Sequence, residues 1–99
     1  MAFIYVNEST ELRVYQGGGA QVIELPAVAA YQVANAGAST QSAAFNAKTK
    51  IIEVHSDSIC SILVGLNPTA VTTQGRMAAG ETRYYRVNPG DKIAAVLNT

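Results

Sequence analysis

Short runs in which apolar and polar residues alternate follow one another along this chain of 99 residues, separated by clusters of glycine, proline, asparagine and serine. Alternation with a period of two is typical of half-buried β-strands, and the separating residues are typical of turns. The valine, isoleucine, threonine and tyrosine content of the runs favours the same assignment. The predicted strands are 3–6, 12–15, 21–25, 28–33, 42–46, 50–56, 60–65, 82–87 and 92–97.

This pattern predicts an all-β fold, an antiparallel β-sandwich or jelly roll of about eight short strands. The length predicts one domain, residues 1–99. The segment 27–38 also has helical character because it is rich in alanine. Pro26 precedes it and Gly37 would end it early, and it contains the β-branched Val28 and Val33, so we interpret it as a strand.

Two of the predicted strands are apolar on both faces. In 60–65 Leu63 lies on the face opposite to Ile62, and in 92–97 Val96 belongs to a second apolar face. Such strands are either central and covered twice or lie at an interface. Because a short chain has little material for two covering layers, we expect contact with further copies of the chain or with a partner.

The charges exclude several classes of partner. Seven basic and seven acidic residues cancel, and the pI is near 6.5, so nucleic acid is not expected as the main partner. Arg83 and Arg86 are close together, but two arginines on a strand are typical of a solvated face. No stretch approaches about 18 apolar residues, and the amino end lacks the basic and apolar regions of a signal peptide, so we expect no membrane association.

The inventory of reactive side chains predicts no enzyme, no cofactor and no metal site. Cys60 is the only cysteine and His55 the only histidine, whereas a zinc site needs three or four ligands. No Gly-x-Ser-x-Gly elbow is present. The run 17–19 of three glycines precedes a predicted strand instead of a helix, so it indicates a hairpin loop and not a phosphate cradle.

Tyrosine supplies five of the seven aromatic residues, and tryptophan is absent. Tyr84 and Tyr85 are adjacent in a predicted strand, so one can enter the core while the other meets solvent or a partner. Tyrosines are common interface anchors and could equally stack on a sugar. The candidate interface residues are Tyr84, Tyr85, Arg83, Arg86, Leu63 and Val96.

The segment Asn88-Pro89-Gly90-Asp91 has the chemistry of a type II turn. Pro89 presets the φ angle of the first central position, and Gly90 accepts the positive φ of the second. No second acid, histidine or ligand accompanies Asp91 in the sequence, so we interpret the segment as the corner of a hairpin.

The carboxyl half resembles a known class of protein. The stretches TKIIEVHSDSICSILVGLNPTA and RMAAGETRYYRVNPGDKIAAVL, within Thr49 to Leu97, resemble small virion proteins of tailed bacteriophages that decorate or cement the capsid. The resemblance implies a β-sandwich or jelly roll that acts without cofactors or catalytic residues. It also implies a homo-oligomer on the capsid surface, bound to the major capsid protein or another virion protein and made in the host cytoplasm.

Two alternatives remain beside the decoration protein. One is another virion component, such as a fibre, tail or head-completion protein. The other is a carbohydrate-binding module that uses exposed tyrosines.

Overall fold

The computed structural model describes residues 2–10, 12–14, 21–23 and 29–98, and within them the chain is all-β. The described residues contain ten strands: β1 (Ala2–Ser9), β2 (Leu12–Val14), β3 (Gln21–Ile23), β4 (Ala29–Asn35), β5 (Thr40–Gln41), β6 (Ile51–Ser56), β7 (Cys60–Gly65), β8 (Arg76–Met77), β9 (Thr82–Arg86) and β10 (Lys92–Leu97). The predicted fold class, a small antiparallel β-sandwich, is confirmed.

The described strands form two antiparallel four-stranded sheets, sheets A and C, and a separate two-stranded hairpin, sheet B. Sheet A has the order β4-β1-β6-β9, and sheet C has the order β5-β10-β7-β8. In sheet A the residues Gln32, Tyr5, His55 and Thr82 lie in one row across all four strands. The hairpin pairs β2 with β3, and the triple-glycine loop predicted between them lies outside the described residues, as does Pro26.

The core lies between the two sheets. Alternate residues of each strand point inward, so sheet A contributes Ile4, Val6 and Val54, and sheet C contributes Ile62 and Ile93. Other buried members are Val33, Phe45, Ile52, Cys60, Met77, Val87 and Ala95. Burial of these side chains is the main favourable contribution to folding, at about 25 cal/mol per Å² of apolar surface.

The strand β10 of sheet C is covered on both faces by residues of this chain. Ala94 and Val96 point away from the main core and pack with Ala70, which belongs to the segment 66–75 between β7 and β8. Hydrogen bonds hold that segment down: Ala70 N donates to Ser39 Oγ at 2.9 Å. Asn98 Nδ2 donates to Thr72 O at 2.9 Å. The second covering layer is therefore a loop.

Gly75 and Gly90, two of the three glycines with positive φ among the described residues, shape the turns. Gly90 has a φ of 87°, and Asp91 N donates to Asn88 O at 3.1 Å, which is the geometry of a type II turn. Gly75 has a φ of 65°, and its carbonyl accepts a hydrogen bond from Ile62 N at 3.0 Å. A Cβ atom at residue 75 would lie 2.1 Å from Ile62 O, so only glycine permits this approach.

One predicted strand is wrong. The residues 42–46 form no regular strand, and the edge strand is the two-residue β5 just before them. Ser42 N donates to Ile93 O and Phe45 N donates to Asp91 O, both at 2.8 Å. Three residues on one side thus oppose two on the other, which breaks the period of the ladder. Phe45 still reaches the core through this irregular segment.

A buried carboxylate lies at one end of sheet A. Glu8 is 2% exposed, and its Oε1 accepts hydrogen bonds from Thr49 Oγ1 at 2.6 Å and from Asn46 N at 2.9 Å. The Tyr31 hydroxyl is also buried and has no hydrogen-bond partner of good geometry among the described residues. Desolvation by burial, with the neighbouring Glu8 carboxylate, raises the pKa of Tyr31.

Candidate functional site

The outer face of sheet A carries a group of aromatic and hydrogen-bonding side chains. Because residues alternate along each strand, those that do not enter the core share this face. We call it the tyrosine face, and it consists of Phe3, Tyr5, Asn7, Glu53, His55, Thr82, Tyr84 and Arg86.

Two tyrosines are the most exposed aromatic side chains of this face. Tyr84 is 51% exposed and Tyr5 is 38% exposed. A strand spacing of about 4.8 Å and a rise of about 3.4 Å per residue place their Cα atoms about 12 Å apart across β6. Both rings stand on paired strands, so their positions are set by the sheet before any ligand arrives.

The ring of Tyr5 contacts a neighbouring ring on each side, those of Phe3 and His55. The ring centroids of Phe3 and Tyr5 are 6.5 Å apart, and those of Tyr5 and His55 are 6.4 Å apart, in tilted arrangements. The Nδ1 atom of His55 is hydrogen bonded to Thr82 Oγ1 at 2.8 Å. Such contacts restrict each ring and lower the entropic cost of binding against it.

The only carboxylate of the tyrosine face is held between two neighbours. Asn7 Nδ2 donates to Glu53 Oε1 at 3.0 Å. A hydrogen bond with Glu53, together with partial desolvation, raises the pKa of Tyr84. The phenol of Tyr84 therefore stays protonated at neutral pH and can donate. With Arg86 on the same face, the surface combines one acid and one base and carries no strong field of either sign.

The sequence-based candidates separate into different environments. Tyr84 and Arg86 lie on the tyrosine face, while Arg83 and Tyr85 point to its opposite side. Arg83 Nε donates to Glu81 Oε2 at 2.6 Å and Nη2 donates to Arg76 O at 2.6 Å. Its hydrogen bonds with Glu81 and with Tyr85 raise the pKa of Arg83. Arg83 therefore ties β9 to β8 and is engaged within the chain.

Tyr85 of β9 lines an open cavity of about 220 Å³ beside β7. The other lining residues are Ile62, Leu63, Val64 and Gly75. Leu63 is half-buried there. Val96 is 6% exposed beneath Ala70, so it offers little area to a partner.

The reactive residues singled out in the sequence do not form a chemical centre. Cys60 is fully buried, and desolvation raises the pKa of its thiol. Asp57 Oδ1 accepts a hydrogen bond from Phe3 N at 2.9 Å, whereas His55 is bonded to Thr82. Within the part of the chain that the structure describes, no three His, Cys, Asp or Glu side chains lie close enough together to hold a metal ion. That part of the chain also contains no helix that could span a membrane.

The sequence interpretation missed the contribution of β1. Phe3 and Tyr5 occupy alternate positions of the predicted strand 3–6, so their shared face could have been found from its parity. Asn7 lies beyond that predicted strand and joins the face because β1 continues to Ser9. The sequence pattern does not predict the order of the strands in the sheet. That order places β1 beside β6 and so brings Tyr5 next to His55. Comparison with protein-family models, with curated proteins and with solved structures finds no match.

Proposed function

We propose that this chain is a structural virion protein that binds and stabilises the outside of an assembled phage capsid, and that the tyrosine face is its docking surface. The observation that carries the proposal is the pair of exposed tyrosines, Tyr5 on β1 and Tyr84 on β9, which lie on either side of β6 on one open sheet face. The resemblance of residues 49–97 to capsid decoration proteins supports the choice of partner.

Docking on a repeating shell needs contact area and rigid anchors. Tyrosine offers a large amphipathic surface with few rotatable bonds, and a few such residues near the centre of an interface dominate binding energy. The tyrosine face has two such anchors, Tyr5 on β1 and Tyr84 on the edge strand β9, with the polar Glu53 and His55 of β6 between them. Aromatic contact area combined with hydrogen-bonding groups is common in specific interfaces.

The electrostatics of the face predict how it binds. Glu53 is already engaged with Asn7 and Tyr84, and only Arg86 adds a formal charge of the opposite sign. Recognition therefore rests on shape and hydrogen bonds rather than on a charged patch. We expect binding to assembled shells to change little between low and physiological salt, because only weak surface charges are screened.

The direct test is co-sedimentation of the purified protein with assembled capsids. Tyr5→Ala and Tyr84→Ala should each reduce binding by about 30-fold if each tyrosine contributes about 2 kcal/mol as a hot spot. Matched controls are Leu66→Ala and Val71→Ala, because these side chains are 75% and 43% exposed on the loop over sheet C. These controls should bind as the wild type does.

Two results would overturn the proposal. If the wild-type protein stays in the supernatant beside mature shells under gentle conditions, it is no decoration protein. If the loop variants lose as much binding as the tyrosine variants, the docking surface lies on sheet C. The number of copies per particle separates the virion roles, since hundreds indicate decoration and a ring-like number indicates a fibre, tail or head-completion component.

The same face favours a second candidate function, carbohydrate binding. Exposed tyrosine rings can stack on sugar rings, and Asn7, Gln32 and Glu53 beside them supply donors and acceptors for hydroxyl groups. A glycan array tests this function, with loss of the signal expected for Tyr84→Ala. Absence of any glycan signal for the wild-type protein would dismiss it.

A further inference from the structure

The two edges of sheet A differ in their protection. Exposed edge strands can pair with other chains, and natural proteins block such pairing with charges, prolines or very short strands. The β9 edge carries Arg83 and Arg86. The β4 edge runs for seven residues, Ala29–Asn35, with no charged residue and no proline. Within the described part of the chain, no strand pairs with the outer side of β4.

Alternation of the backbone identifies which groups of β4 are free. Ser9 O accepts from Lys50 N and Phe3 O accepts from Asp57 N, so the odd-numbered residues of β1 face β6. The even-numbered residues of β1 consequently face β4, where they pair with Tyr31 and its odd-numbered neighbours. The N–H and C=O groups of the even-numbered residues of β4 point outward from the sheet.

The chain itself occupies one end of this outward row. Ala34 O accepts a hydrogen bond from the Thr40 hydroxyl, and Ala36 O accepts one from Leu97 N at 2.8 Å. Ala30 and Gln32 remain, and both are exposed. The open part of the edge is thus one short, uncharged stretch centred on Tyr31.

We propose that β4 pairs antiparallel with β4 of a second copy, about a two-fold axis at Tyr31. This axis sets Ala30 of each copy opposite Gln32 of the other, and each of these two pairs exchanges two backbone hydrogen bonds. The occupant is a second copy because the stretch is complementary to itself. It opposes no like charges, and it sets the small side chain of Ala30 against the longer one of Gln32.

The pairing joins two copies of sheet A into one eight-stranded sheet. The two tyrosine faces then lie side by side on the same surface of the dimer, because strand pairing preserves which side of a sheet a residue occupies. A partner that presents repeated sites would be bound at two points, which raises apparent affinity without new contacts. The dimer itself does not depend on what the tyrosine face binds.

A charge-swap experiment tests the pairing on the purified protein alone. One variant carries Ala30→Lys with Gln32→Lys, and the other carries Ala30→Glu with Gln32→Glu. Each places like charges opposite one another, so each should weaken the dimer about tenfold or more. An equimolar mixture of the two should restore it, because the mixed dimer opposes lysine to glutamate. Sedimentation velocity over a range of concentrations gives the dimer fraction.

Two controls keep the result interpretable. Thr69→Lys with Thr73→Lys adds the same charge at exposed positions of the loop over sheet C and should dimerise as the wild type does. Gln32→Pro removes only an outward N–H group and leaves the ladder to β1 intact, so it should weaken the dimer without unfolding the chain. Circular dichroism checks that each variant is folded.

The proposal is overturned if the wild-type protein is a monomer at all concentrations, or if both charged variants dimerise as strongly as the wild type. A mixture that fails to restore the dimer also overturns it, because pairing would then not oppose β4 to itself. Since no capsid or glycan is present, failure here is separate from failure of the proposed docking function.

Discussion

The hydroxyl of Thr49 donates a 2.6 Å hydrogen bond to the carboxylate of Glu8, and both side chains are almost completely buried. This bond fastens the irregular segment after β5 to the end of β1. A buried carboxylate that loses a donor retains the cost of its desolvation.

We therefore expect Thr49→Val, which keeps the shape and removes the hydroxyl, to lower the free energy of unfolding by about 1.5–3 kcal/mol. Urea denaturation measures the change. Thr69→Val, at an exposed position, is the matched control and should change it by less than about 0.5 kcal/mol. Equal effects of the two substitutions would show that the bond to Glu8 is not stabilising.

Three glycine-to-alanine substitutions should rank in a definite order. Gly75→Ala combines a positive φ with a clash against Ile62 O, and should cost at least about 3 kcal/mol. Gly90→Ala has the positive φ but open space, and should cost about 1–2 kcal/mol. Gly37→Ala has neither and should stay within about 0.5 kcal/mol of the wild type. Thermal melting of the three proteins measures the order, and a reversal of the first two would contradict the close approach at β7.

Alkaline unfolding should depend on Tyr31. Burial raises the pKa of Tyr31 in the folded state, while the unfolded chain ionises near pH 10. The unfolded state therefore releases its proton first, so stability is complete below about pH 10 and falls as the pH rises further. Tyr31→Phe should reduce this fall and, by removing a buried hydroxyl without a good partner, should not destabilise the protein at pH 7. The experiment is urea denaturation at pH 7 and above pH 10, and an unchanged alkaline slope in the variant would contradict the assignment.

Acid sensitivity should depend in part on Glu81. Its hydrogen bonds with Arg83 and with Ala78 N lower its pKa. Stability from this carboxylate is present above its unfolded pKa of about 4.3 and is lost as the pH falls through the lower folded value. Glu81→Gln should flatten the dependence of the melting temperature on pH below about 4.3. Wild type and variant should converge at the lowest pH, where the wild-type carboxyl is protonated, and parallel curves throughout would refute this role.

Local patterns were sufficient for some strands and not for others. The bounds of β7 and β10 agree with the runs 60–65 and 92–97, because each is a continuous apolar stretch between clear turn signals. The strands β5 and β8 have two residues each and no alternation to detect. They exist because β10 and β7 offer free edges, which is a tertiary relationship.

The candidate site divides in the same way. Parity separates Tyr84 from Tyr85, and the structure places the first outward and the second against the core. Parity also places the apolar Val96 on the second face of β10. Only the tertiary path of the chain determines that Ala70 covers that face. The neighbourhood of Tyr5, His55 and Tyr84 depends on strand order, which no local pattern encodes.

The double covering of β10 sets a hierarchy of local opening. Ala94 and Ala95 are fully buried on opposite faces of that strand, and β10 has a strand on each side. Their amide hydrogens should exchange with solvent only when the whole molecule unfolds, whereas those of Ala30 and Gln32 in a monomer face water and should exchange within the dead time. Slow amide exchange in β10 therefore measures the global stability of the protein and serves as an internal reference. Against that reference, protection of the Ala30 and Gln32 amides would show that another strand has paired with β4.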